Sequence, residues 1–179
     1  MVKGKHARRA GQVILPGFRF PPAMTDLEEY LRQHDARFHD ELFAFLRIPS
    51  VSARSEHAGD VRTCATWLRD NMAAAGLDTS IHETAGHPIV LGEWRHAPPG
   101  APTILVYGHY DVQPVEPLDL WESPPFEPVI RDGRIYARGS VDDKGQLFLH
   151  VKAIEAHLAD EPDFARADRI RAELLAQGI

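Results

Sequence analysis

His109 and Asp111 stand two residues apart in Gly108-His109-Tyr110-Asp111-Val112-Gln113-Pro114. In extended backbone, residues i and i+2 face the same side, so an imidazole and a carboxylate project together. Neutral imidazole is a good ligand for a zinc-like ion. A ligating imidazole commonly gives its second N–H to a carboxylate or carbonyl, and Asp111 is the candidate for that partner. A second stretch, Gly139-Ser140-Val141-Asp142-Asp143-Lys144-Gly145, sets two carboxylates side by side where a loop runs into a helical pattern. Such a pair either caps the helix by accepting from its first free N–H groups or binds and bridges metal ions. The residue types alone leave both uses open.

The elements that must position these groups follow from the pattern. Thr103-Ile104-Leu105-Val106, preceded by Pro102, is a short apolar run that predicts a buried strand ending at His109. Open α/β sheets place their ligands at that end of a strand. The second motif leads into a helix from Gln146 to Leu158. Upstream, Thr25-Asp26-Leu27-Glu28 is a capping box. The apolar spacing of Leu27, Tyr30, Leu31, Phe38, Leu42, Phe45 and Leu46 predicts a helix that ends before Pro49. A second helix is expected from about Asp60 to Ala75, with Gly76 as its stop and Cys64 on its apolar stripe. Asp78 to Glu83 and Ile89 to Trp94 read as strands, and Val129-Ile130 and Ile135-Tyr136 as a hairpin around a turn at Arg131-Asp132-Gly133-Arg134. Trp121 and Phe126 lie among prolines, either as walls of a substrate pocket or as anchors of a long loop. His34, His39, His82, His87, His96, His150 and His157 lack ligand spacing and read as bystanders.

Residues 104–158 resemble the zinc aminoacylase/carboxypeptidase superfamily, which includes dipeptidases, carnosinase-like enzymes, carboxypeptidase G, acetylornithine deacetylase and succinyl-diaminopimelate desuccinylase. The two motifs carry the resemblance, together with Trp121-Glu122-Ser123-Pro124-Pro125-Phe126-Glu127-Pro128 between them. Tyr110 and Gln113-Pro114 look most like the dipeptidase branch. Ile48-Pro49-Ser50-Val51-Ser52 resembles a family signature near the active-site floor, and a structural turn explains it equally well.

The resemblance implies an α/β fold, part of a zinc-peptidase catalytic domain with a mostly parallel sheet flanked by helices and no lid domain. It implies a site for two zinc ions, with cobalt or manganese also suited to the ligands. His109 matches a ligand of one zinc and Asp142 the carboxylate bridging both. Asp111 matches the catalytic acid that orients and tunes His109. Asp143 is the supporting neighbour, joined to Asp142 by a peptide bond that is cis in the family. The family reaction is hydrolysis of a peptide or amide bond by a metal-activated water, with dipeptides or N-acyl amino acids as substrates and a homodimer as the complete enzyme.

The chain departs from that pattern downstream. The general-base glutamate, the adjacent glutamate ligand, a further acidic ligand and a distal histidine have no counterpart in matching context, since Glu155, Glu161 and Glu173 stand alone. The expectation is a chain inactive by itself. The alternatives are a non-catalytic fragment pairing with a partner chain through an open sheet edge, or a product of gene rearrangement.

The domain reading places a disordered basic extension at 1–23, the N-terminal part of the catalytic domain at 24–158 and an unrelated helix at 159–179. The first segment carries Lys3, Lys5, Arg8, Arg9 and Arg19 and no acid. A net charge of −6 gives no basic excess for nucleic acid. No apolar run approaches a membrane span, no secretory signal is evident, and the lone Cys64 suits a reducing compartment, so the cytoplasm is expected.

Overall fold

The structure is a computed structural model that describes residues 24–160. The expectations for the basic extension and for residues 161–179 lie outside the described residues.

Among the described residues, three α-helices and two hairpins carry the fold: α1 (Met24–Arg47), α2 (Ala58–Ala74), β1 (Asp78–His82), β2 (Ile89–Glu93), β3 (Val129–Arg131), β4 (Arg134–Tyr136) and α3 (Lys144–Asp160). Helix α1 ends two residues before Pro49, whose ring disfavours helical backbone in the residue ahead of it. Helix α2 gives way to Gly76 at φ 94°, a left-handed stop that glycine adopts without a Cβ penalty. Its buried residues are Val61, Cys64, Ala65 and Leu68, one stripe at helical spacing.

The apolar faces of α1, α2 and α3 meet in one core. Phe45, Cys64, Leu68, Ala75, Phe148 and Val151 are its buried members, with Trp67 packed against them. Phe45 and Trp67 stack with ring centroids 4.6 Å apart and planes 10° from parallel. Burying a side chain such as Phe45 contributes roughly 1.5–3 kcal/mol. A polar seam joins α1 to α3 beside this core. Glu155 accepts from Tyr30 (3.0 Å), Lys152 (2.7 Å) and Arg37, while Lys152 also pairs with Glu41 (2.5 Å). These partners let two glutamates and a lysine sit among apolar neighbours.

β1 and β2 pair antiparallel, with Asp78 opposite Glu93 and His82 opposite Ile89, and lie against α2. β3 and β4 pair antiparallel through a two-residue turn. Asp132 and Gly133 take φ 49° and 71°, the positive values that an Asp-Gly hairpin turn demands.

The mixed helix-and-sheet class agrees with the sequence. The mostly parallel sheet does not form among the described residues: their parallel pairing is a bridge between Val51 and Val112. The expected buried strand at 103–106 is corrected as well. Residues 101–111 make no ladder, and Ile104, Leu105 and Tyr107 are 82%, 87% and 86% exposed. The physical reason is a missing neighbour. No described segment lies alongside to receive the N–H and C=O groups of residues 103–107 or to cover either face. No helix of the described residues is long and apolar enough to cross a membrane.

Candidate metal centre

The two motifs meet face to face. Their glycines permit it: a Cβ on Gly108 would lie 2.9 Å from Asp143 Oδ2 and 3.0 Å from Leu147 Cδ1, and one on Gly145 would lie 1.9 Å from the Ser140 carbonyl oxygen. With those approaches open, Asp142 and Asp143 come up beside His109. The two aspartates are joined by a cis peptide bond.

His109 is held at three points. Its backbone N–H donates to Asp143 Oδ2 at 3.0 Å. Its Nδ1 lies 3.0 Å from Asp111 Oδ1 and 3.2 Å from the Asp111 carbonyl oxygen. Its Nε2 faces Asp142 Oδ1 at 3.1 Å. Carboxylate oxygens thus face both ring nitrogens; a proton on Nδ1 satisfies Asp111 and leaves the Nε2 lone pair for an ion placed between it and Asp142. Burial works against protonating this imidazole, but the bond to the Asp111 carbonyl and the charges of Asp111 and Asp143 outweigh it and raise the pKa above the ordinary 6.5.

The four site residues expected from sequence are thus brought together. His109 and Asp142 present one nitrogen and one oxygen to the same point, and Asp142 is 78% exposed there. The 3.1 Å between these donors lies within the span of two ligands on one zinc-like ion, which binds each at about 2.0–2.2 Å. Asp111 and Asp143 are occupied in holding His109. No group of three or more His, Cys, Asp or Glu arranged to hold an ion occurs among the described residues. The donors present fit the chemistry of a divalent ion and supply part of a ligand set.

The stretch Ile48–Ser52, read from the sequence as near an active-site floor or as a structural turn, supports the site, with contacts that the sequence did not name. Ser52 Oγ donates to Asp111 Oδ2, and Ser50 Oγ donates to the Tyr110 carbonyl at 2.7 Å. The turn Ile48–Ser52 therefore straps the His109–Val112 segment, with Val112 N donating to the Ser50 carbonyl at 2.9 Å. His87, read as a bystander, places Nε2 3.0 Å from the Ser52 carbonyl oxygen. Tyr110 donates to the Pro88 carbonyl, and burial pushes its phenol up to about 12.

Lys144 is fully buried and donates to the carbonyls of Phe45 (2.9 Å) and Ile48 (2.7 Å), capping the end of α1. Burial lowers its pKa. One signal was available: a lysine as the first residue of a helix opposes the dipole and needs another reason to be there.

Cys64 packs in the core, and burial raises its thiol pKa, as expected for a structural cysteine. Trp121 donates from Nε1 to the Val115 carbonyl at 2.8 Å and lies under Arg138, an anchoring arrangement.

Known proteins share this arrangement of chain. Residues 105–169 match peptidase family M20/M25/M40, and the match runs past Leu158, where the motif resemblance was expected to end. The chain is 33% identical over 132 residues to the cysteinylglycine-S-conjugate dipeptidase of Corynebacterium striatum, covering 74% of this chain and 29% of that protein. It is 49% identical over 118 residues to the succinyl-diaminopimelate desuccinylase of Azoarcus sp. (strain BH72), covering 66% and 29%. The solved M20 family metallo-carboxypeptidase Sso-CP2 from Sulfolobus solfataricus superposes with a TM-score of 0.61 at 38% identity, over 69% of this chain and 27% of that one. The chain spans under a third of the length of each of these relatives. Over the part that these matches cover, the chain is similar to peptidase family M20/M25/M40.

Proposed function

We propose that His109, Asp111, Asp142 and Asp143 form one part of a hydrolytic metal site that cleaves a peptide or amide bond, with a dipeptide or an N-acyl amino acid as substrate. The single observation that carries this reading is the convergence of His109 Nε2 and Asp142 Oδ1 at 3.1 Å, with Nδ1 turned onto Asp111. Zinc is the resident ion in this reading, with cobalt and manganese as substitutes, and two ions fill the complete family site.

His109 and Asp142 hold the ion. Asp111 keeps the imidazole proton on Nδ1, so that Nε2 stays free to ligate. Asp143 fixes the His109 backbone through its amide. Bound there, zinc supplies Lewis acidity toward a water and a scissile carbonyl. No group of three or more metal-binding side chains occurs among the described residues, so in this reading the chain binds an ion weakly and is inactive alone. The complete enzyme acts in the cytoplasm, without nucleic acid or membrane, as a homodimer.

A cobalt titration of the purified chain, followed by dipeptide hydrolysis with zinc added, tests the reading. Weak binding that His109→Ala and Asp142→Ala each abolish supports it, with no turnover by the chain alone. Binding untouched by both substitutions rejects the site, and turnover by the chain alone rejects its incompleteness.

The exposed run Ile104–Tyr107 favours a second reading, a non-catalytic segment that pairs with a partner chain along that open edge. A tight complex that survives His109→Ala and Asp142→Ala favours it, and a clean monomer counts against it.

A further inference from the structure

Asp111 has two carboxylate oxygens, and the site uses both. Oδ1 meets the His109 ring, while Oδ2 accepts the Ser52 hydroxyl proton. A carboxylate bound at one oxygen alone turns easily about its terminal torsion, which is broad and two-fold. A donor on the second oxygen fixes its plane and keeps Oδ1 on Nδ1.

Ser52 is itself held. Its carbonyl meets His87 Nε2, its neighbour Val51 bridges Val112, and Ser50 bonds residues 110 and 112. The hydroxyl therefore reaches Asp111 from a braced turn rather than from a loose side chain.

We propose that Ser52 is a positioning residue for the metal site. It acts through Asp111 to hold the His109 ring with Nδ1 on Asp111 and Nε2 toward Asp142. The inference deepens the metal-site reading and rests on it for the ion.

The test uses Ser52→Ala and Ser52→Thr in the full chain, with two readouts. Nitrogen NMR of histidine-labelled, metal-free protein at mildly alkaline pH reports the tautomer of the neutral His109 ring, its signal assigned by loss in His109→Asn. A cobalt titration reports affinity. The native chain shows His109 with its proton on Nδ1. Ser52→Ala is expected to show mixed tautomers and about tenfold weaker cobalt binding, the low end for partners behind a ligating histidine. Ser52→Thr, which keeps the hydroxyl, restores both.

An unchanged tautomer and unchanged affinity in Ser52→Ala overturn the inference. Mixed tautomers in a chain whose native form binds no cobalt support the role of Ser52 while rejecting the metal site. If Ser52→Ala unfolds, Ser52→Cys carries the same test with a weaker donor.

Discussion

Replacing Lys144 by methionine removes a buried ammonium and keeps most of its apolar stem. The native Nζ donates to the Phe45 carbonyl at 2.9 Å and the Ile48 carbonyl at 2.7 Å. A hydrogen bond involving a charged group contributes about 1.5–3 kcal/mol, so the two together contribute roughly 3–6 kcal/mol. Desolvation opposes them, as the lowered pKa of this fully buried lysine indicates. The carbonyls remain in the variant, at the negative end of α1, without their donor. The expected net loss is about 2–4 kcal/mol, toward the lower part of the cost of breaking a buried charged contact. Urea unfolding followed by tryptophan fluorescence measures it, since Trp67 stacks on Phe45 beside the lost contact. The midpoint should fall with the m-value unchanged. A loss under about 1 kcal/mol, or a gain, would refute the reasoning, because the ammonium's desolvation would then cancel its two bonds.

Two further changes probe the seam and the motif contact. Burial pushes the Glu41 and Glu155 carboxyls up, but their bonds to Lys152 and Arg37 prevail and hold both below the ordinary 4.5. Folded values below unfolded ones mean that their contribution is complete above about pH 4.5 and is lost as pH falls through the lowered values. Urea midpoints should therefore drop on acidification below that pH, and the drop should shrink in Glu41→Gln/Glu155→Gln; an identical acid profile in that variant contradicts the assignment. Gly108→Ala puts a methyl 2.9 Å from Asp143 Oδ2 and 3.0 Å from Leu147 Cδ1. It should cost about 1–3 kcal/mol and speed hydrogen exchange at the His109 amide, which donates to that carboxylate; unchanged exchange would show that Asp143 yields without releasing it.

Much of this fold is local, and local order is legible. Leu42, Phe45 and Leu46 declare α1 by spacing, and Pro49 declares its end. Asp132-Gly133 declares the β3–β4 turn because few residue pairs accept positive φ twice. His109 and Asp111 declare a site because two residues of extended chain bring their side chains to one side. The unread parts are contacts between distant segments. Ser52 reaches Asp111 across 59 positions, and Lys144 reaches Phe45 across 99. Ile48–Ser52 carries a likeness to a stretch near an active-site floor, but nothing in it names Asp111 as the partner of Ser52, and Lys144 carries only the oddity of a lysine heading a helix.

The run Thr103–Tyr107 shows where such reading fails in the other direction. Its pattern reports which side chains would gain by burial, not what would bury them. Ile104 and Leu105 are adjacent, so they face opposite sides of the extended chain, and both are open. Burying this run needs cover on both faces, which no described segment supplies. Past Gly108 the same stretch is secured by Ser50, Val51, Ser52 and Asp143. The boundary between open and secured backbone falls just ahead of His109. The imidazole and its carboxylates are therefore fixed by the turn at 50–52 and by the Asp142–Asp143 loop, and their arrangement does not wait on a strand pairing with residues 103–107.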